Sequence, residues 1–213
     1  MTVIARDDLT GSALSGNKVR KLEFLLAEAL QQGRKEVITV GGIQSNHCRA
    51  TCISCRRVGL NPSVVLGTSL EPDKLQIEGN VIFDNFVGAT IFTVPRGLTR
   101  AEVYAEKTTE LDAYAIPVGG SNRVGTWGYI EKWDEWLLDG VLDKPKNIFI
   151  PVGSGGTAAG IIIGNYLTGS KHNIHLLQVA DTVDSLKRDI ESIIHAFMLD
   201  VTNAMVNVTM HEA

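Results

Sequence analysis

Three short stretches of the 213-residue chain carry side chains whose types and spacing can do chemistry. The first is Gly16-Asn17-Lys18-Val19-Arg20-Lys21, with a helix expected over 21–32. Lys18 sits at the head of that helix, where a cation opposes the helix dipole and calls for a task or a partner. An amine so placed has a lowered pKa and suits covalent attachment to a carbonyl group; a solvated lysine is the ordinary alternative. The second is Gln44-Ser45-Asn46-His47, four consecutive polar residues after Gly41-Gly42. Ser45 or Asn46 can simply cap the helix that follows. An Asn amide can also donate to a phenolate oxygen, and Ser or His can move protons. The third is Gly153-Ser154-Gly155-Gly156-Thr157. Without Cβ atoms its backbone N–H groups can face outward, and with a helix N-terminus behind them they form an anion cradle. Glycines that only allow a strand and helix to pack closely are the alternative.

Positioning these stretches requires strands that end at them. Apolar runs at 37–40, 63–66, 90–94, 114–118, 147–152 and 173–179 read as buried strands. Helical stretches over 46–58, 80–87, 100–111, 124–138, 156–167 and 183–198 alternate with them. That alternation implies right-handed βαβ units and mostly parallel sheets flanked by helices, an α/β fold. In such folds functional groups collect at the carboxyl ends of strands, here 41–47, 119–122 and 153–157.

Composition narrows the field. Twenty Lys plus Arg against 24 Asp plus Glu give a net charge of −4, which offers no general attraction to nucleic acid or to an anionic membrane. No run of about 20 apolar residues exists, and Arg6, Asp7 and Asp8 break any early signal-peptide core. The three cysteines, Cys48, Cys52 and Cys55, fall at i, i+4 and i+7 on one helix face. They read as reduced thiols packing on a sheet in a cytoplasmic protein, not as a zinc site or a disulfide framework. Gly11 and Gly16 have the spacing of a P-loop, but Asn17 separates Gly16 from Lys18 and no Ser or Thr follows to hold magnesium.

Two ligands suit the glycine loop. Gly153, Gly155 and Ala158 meet the relaxed Gly-x-Gly-x-x-Ala dinucleotide pattern, and Asp181 could hold a ribose hydroxyl. That reading, an NAD-dependent oxidoreductase, explains the third stretch only. Pyridoxal 5'-phosphate explains all three: Lys18 for its aldehyde, Asn46 for its ring and the loop for its phosphate.

The residues in these stretches resemble the D-cysteine desulfhydrase and 1-aminocyclopropane-1-carboxylate deaminase family. The motifs are Arg-Asp-Asp-Leu-Thr-Gly at 6–11, Gly-Asn-Lys-Val-Arg-Lys-Leu-Glu-Phe at 16–24, Gln-Ser-Asn-His at 44–47, Ile-Pro-Val-Gly-Gly-Ser-Asn at 116–122 and Gly-Ser-Gly-Gly-Thr at 153–157. The resemblance runs from about Arg6 to Gln178, and 201–213 matches nothing recognised. It implies a pyridoxal 5'-phosphate enzyme of fold type II, the tryptophan synthase β-like fold, here with an incomplete large domain. It further implies a small domain over 21–122, and a partial large domain over 1–20 and 123–213 with the cofactor in the cleft. By the same resemblance Lys18 is the cofactor-linking lysine and Lys21 contacts the phosphate. Asn46 meets the phenolic oxygen, and Gly153, Ser154, Gly155, Gly156 and Thr157 bind phosphate. Ser45 lies near the substrate carboxylate with a proton-transfer role, and His47 leans toward the desulfhydrase branch. The activity implied is β-elimination of a small amino acid, D-cysteine, to pyruvate, hydrogen sulfide and ammonia. The deaminase reaction and a truncated, inactive cofactor-binding homologue are the alternatives, and a homodimer is compatible with the chain.

Overall fold

In the computed structural model, residues 3–11 and 16–212 are described, together with all their side chains except that of Pro72. The interior of the P-loop-spaced segment, 12–15, therefore lies outside the described residues. The chain divides into two units, Met1–Gly120 and Ser121–Ala213.

The first unit opens with α1, Lys18–Gln31, followed by β1, Glu36–Gly41, and α2, Asn46–Arg57. β2, Asn61–Leu66, α3, Asn80–Phe86, β3, Thr90–Thr93, α4, Arg100–Glu110, and the two-residue β4, Tyr114–Ala115, complete it. The four strands form one parallel sheet in the order β3-β2-β1-β4. Parallel strands are buried on both faces, which is why β1 and β2 read as continuous apolar runs. Ile38, Val40 and Val65 pack with Val103 of α4, and Val64 and Leu66 pack the other way with Cys48, Cys52 and Val81. The cysteines are thus a buried apolar stripe. Burial pushes the Cys48 and Cys55 thiols up to about 12 and raises Cys52 well above its ordinary value.

α1 starts at Lys18, three residues earlier than its expected start at 21. Its N-cap, Asn17, is a residue type that favours that position, but it makes no side-chain cap hydrogen bond. β4 is shorter than expected because Pro117 has no N–H for a ladder and 118–120 turns tightly, with Gly119 at φ +63° and Gly120 at φ +60°.

The second unit contains α5, Arg123–Leu138, β5, Asn147–Val152, α6, Gly156–Leu167, β6, Asn173–Gln178, and α7, Val183–Ala196. A short α8, Val201–Ala204, and β7, Val208–His211, follow. The sheet is parallel, β5-β6-β7, so the stretch beyond residue 200 supplies a strand that pattern reading did not foresee. Four residues are too short for a periodic signal to emerge. Ile150, Val152, Ile174 and Leu176 form the core with α5, α6, α7 and α8, while Phe149, Leu177 and Val179 are exposed.

α6 is buried almost all round, which accounts for its apolar sequence; among the described residues no helix is long and apolar enough to cross a membrane. Its glycines set the distance to α5. A Cβ at Gly160 would fall 2.4 Å from Tyr129 Cβ and 2.9 Å from the Thr126 carbonyl oxygen; one at Gly164 would fall 2.4 Å from Trp133 Cγ. Helix propensity favours Ala over Gly by about 1 kcal/mol, but the neighbouring atoms belong to backbone and to the fully buried root of Trp133. Gly160→Ala and Gly164→Ala are therefore expected to lower unfolding free energy by about 1–3 kcal/mol in urea titrations. Gly42→Ala, whose added Cβ meets nothing within 4 Å, should stay within about 0.5 kcal/mol of the parent.

Candidate functional site

The lysine stretch, the Gln44–His47 stretch and the turn at 119–120 meet in the first unit. Because α1 begins at Lys18, Lys18 and Lys21 lie three residues apart on one helix face. Lys21 is 1 % exposed, and its Nζ donates to the Gly119 carbonyl oxygen at 3.2 Å. The two amines also hydrogen-bond to each other. Burial, then the neighbouring charge and hydrogen bond of Lys18, pull the Lys21 amine well below the usual lysine range. Burial pulls Lys18 down to about 8, partly offset by its bond to Lys21. Burial therefore weakens proton binding at both amines.

His47 completes this cluster. Its Nε2 lies 2.8 Å from Thr39 Oγ1, whose own proton goes to the Ile116 carbonyl oxygen at 2.9 Å. Thr39 can therefore only accept, which makes Nε2 the protonated nitrogen and leaves Nδ1 a lone pair. Nδ1 has no hydrogen-bond partner among the described residues. Burial, then the positive charges of Lys18 and Lys21, hold the His47 imidazole down at about 3, against a smaller opposing effect of the Pro117 carbonyl; the ring is neutral at physiological pH. Thr39 was not foreseen, although a hydroxyl inside the apolar run Val37–Val40 is a legible sign of a buried hydrogen bond.

Ser45 is the N-cap of α2: its Oγ accepts from Cys48 N at 3.1 Å and keeps its own proton free to donate. Gly41 is glycine because a Cβ there would sit 2.7 Å from both Ser45 Oγ and Cys48 Sγ. Asn46, the first residue of α2, is exposed, and its Oδ1 accepts from Asn80 Nδ2 at 3.0 Å. Asn80 also donates to the Gln44 carbonyl oxygen and receives Arg49, which braces the stretch against α3. With its oxygen engaged, Asn46 presents its amide N–H groups outward.

The glycine loop lies in the second unit. Gly155 is the N-cap of α6 at φ +76°, in the region that favours glycine, and as a glycine it supplies no side-chain cap of its own. A Cβ at Gly153 would meet only Val179, at 4.0 Å, so its surroundings are open. Gly156 N donates to Ser121 Oγ at 3.2 Å, and Ser121 Oγ and Ser154 Oγ lie 2.9 Å apart. Ser121 was not among the expected site residues, although it stands in the glycine-rich turn at 119–122. The loop offers hydroxyls and the N-terminal backbone of α6, a donor set suited to an oxyanion.

These features fit pyridoxal phosphate group by group. Lys18 has an amine neutral enough to meet an aldehyde, Asn46 has amide donors for an aryl oxygen, and Gly153–Thr157 has donors for a phosphate.

Comparison with known proteins agrees. The pyridoxal-phosphate dependent enzyme family profile matches residues 2–209, reaching well beyond the 6–178 span of the sequence motifs. The bifunctional D-cysteine desulfhydrase/1-aminocyclopropane-1-carboxylate deaminase of Arabidopsis thaliana is 39% identical over 226 residues, covering 99% of this chain and 56% of its own length. A putative 1-aminocyclopropane-1-carboxylate deaminase of Thermotoga maritima is 42% identical over 169 residues, 76% of this chain and 53% of its own. The crystal structure of an ACC deaminase homologue superposes with a TM-score of 0.81 at 28% identity, covering 97% of this chain and 64% of that one. The chain spans little more than half the length of these curated relatives. Its motifs, its parallel α/β architecture and these matches lead to one conclusion: the chain belongs to the pyridoxal-phosphate dependent enzyme family, with the fold type II architecture.

Proposed function

We propose that Lys18 anchors pyridoxal 5'-phosphate and that the chain carries the catalytic lysine of a carbon–sulfur lyase acting on D-cysteine. One observation carries this reading: an amine at the head of α1, drawn down to about 8 by burial and paired with a second buried amine. At pH 7.5 roughly a quarter of such an amine is neutral, against about a thousandth for an ordinary lysine. The names of the Arabidopsis relative and of the D-cysteine desulfhydrase of Klebsiella pneumoniae, 37% identical over 172 residues, support the substrate. The Thermotoga relative supports 1-aminocyclopropane-1-carboxylate as the second reading.

The cofactor, when bound, withdraws electrons from the substrate Cα and so makes its proton removable. The chain's own groups do the rest. Lys18 Nζ takes the Cα proton, and Ser45 Oγ–H is the alternative proton carrier because its oxygen is already fixed by Cys48 N. Asn46 orients the ring through its free amide donors. Lys21, one turn along α1, is kept as the phosphate-contacting lysine. His47, its ring orientation fixed by Thr39, is kept as a substrate-side residue. Overall, D-cysteine and water give pyruvate, ammonia and hydrogen sulfide: the Cβ–S bond breaks with its electron pair on sulfur, and sulfur takes up a proton.

The division into a small domain over 21–122 and a large one over 1–20 and 123–213 is kept as part of this proposal. So is cytoplasmic residence, which the three free thiols favour; the Arabidopsis relative is named as mitochondrial. A homodimer is the proposed assembly, supported by the exposed Phe149, Leu177 and Val179.

Three outcomes are expected. Borohydride reduction of the chain with pyridoxal phosphate, followed by peptide mass analysis, should place the adduct on Lys18; an adduct on other lysines alone would sink the assignment. The pH profile of Lys18 labelling by an amine reagent should rise with a midpoint near 8, because the neutral amine accumulates above its pKa; a midpoint near the ordinary lysine value of 10.5 would refute the burial argument. Pyruvate release should be seen with D-cysteine and fall by at least roughly a hundredfold in Lys18→Ala. Release of 2-oxobutanoate from the cyclopropane amino acid in its place selects the deaminase reading.

A further inference from the structure

At the carboxyl ends of β2 and β3 the first unit has a shallow groove of about 340 Å³, lined by Gly67, Thr68, Ser69, Arg96 and Arg100 among others. Neither guanidinium has a hydrogen bond or ion pair among the described residues. That is unusual placement for cations in a chain of net charge −4, which has acids to spare. Arg100 is moreover the first residue of α4, where the helix dipole repels positive charge. The acid of that turn does not relieve it: Glu102 Oε2 accepts from Thr99 N and from Thr99 Oγ1, both at 2.7 Å.

The groove is also shaped around Arg100. A Cβ at Gly67 would lie 2.8 Å from Arg100 Cδ and 3.4 Å from its Nε, so glycine lets the arginine stem lie flat across the end of β2. The same Cβ would be 3.4 Å from the Gly41 carbonyl oxygen, and Gly41 packs against Ser45. Thr68 Oγ1 accepts from Leu70 N at 3.2 Å, which leaves its proton to donate. Two exposed guanidiniums and a hydroxyl with a proton to donate thus line one groove, at the strand ends where parallel α/β sheets bind ligands.

We infer that this groove is an anion-binding site, separate from the glycine loop, in which Arg96 and Arg100 hold a small oxyanion, carboxylate or phosphate. The inference does not depend on the proposed function. Guanidinium forks match both oxyanions, so the ligand's source is decided by experiment.

The test is residue-resolved NMR on the full ¹⁵N-labelled chain, titrated separately with inorganic phosphate and with succinate. Saturable shifts are expected at the amides of Gly67, Thr68 and Ser69; a response to one probe only identifies the ligand as phosphate or carboxylate. Arg96→Gln and Arg100→Gln should each weaken this binding about tenfold, and raised salt should weaken it in the parent. Gly67→Ala keeps both charges but displaces the Arg100 stem, and should weaken binding about threefold. Absence of saturable shifts at 67–69, shifts confined to Gly155 and Gly156, or affinity unchanged in both arginine variants would overturn the inference. Unchanged affinity in Gly67→Ala would overturn the role given to the Arg100 stem.

Discussion

The candidate site rests on the burial of an amine. An ammonium removed from water is costly unless it is paired, and Lys21, 1 % exposed, donates to the Gly119 carbonyl oxygen. Burial weakens proton binding at both Lys21 and Lys18. The rest of α1 sustains this arrangement. Leu22, Leu25, Leu26 and Ala29 are buried and hold the helix in place, while the left-handed turn at Gly119-Gly120 carries the accepting carbonyl. A Cβ at Gly120 would lie 3.0 Å from Leu25 Cδ1 and 3.6 Å from His47 Cε1, so the small residue there brings helix, turn and imidazole together.

β1 supplies the second element of control. Its side chains alternate between the α4 face and the α2 face, and Thr39 is a buried polar residue among the apolar Val37, Ile38 and Val40. By passing its proton to Ile116, Thr39 fixes which nitrogen of His47 is protonated. The strand then ends at Gly41, whose missing Cβ allows the α2 N-terminus to approach. Strand, cap and imidazole are in this way one hydrogen-bonded and packed unit.

The second unit solves a different problem, presentation of backbone donors. α6 is held against α5 through Gly160 and Gly164 and against the sheet through Ile161–Ile163, so its N-terminus is rigidly mounted. The N-cap glycine supplies no side chain of its own, and Ser121 Oγ meets the first helical N–H in its place. The Ser121–Ser154 hydroxyl pair borders it and orients the loop through Gly156 N.

The sequence alone was enough for the alternation of elements, the two parallel sheets and the three chemical stretches. Each rests on local patterning: apolar runs of strand length, glycine at strand ends, and residue types suited to one cofactor. It was also enough to read the cysteines as core, since i, i+4, i+7 spacing on one face needs no knowledge of the partner. Reading α1 from 21 left out its start at Lys18, although Asn17 is a favourable N-cap residue type, and so the Lys18–Lys21 pair was hidden. Nor did it reveal β7, too short to show a period. Only tertiary structure decided which polar groups are charged. The protonation of Lys18, Lys21 and His47 depends on burial and on atoms up to 98 positions away, such as the Gly119 carbonyl, and no local pattern encodes the desolvation such neighbours impose.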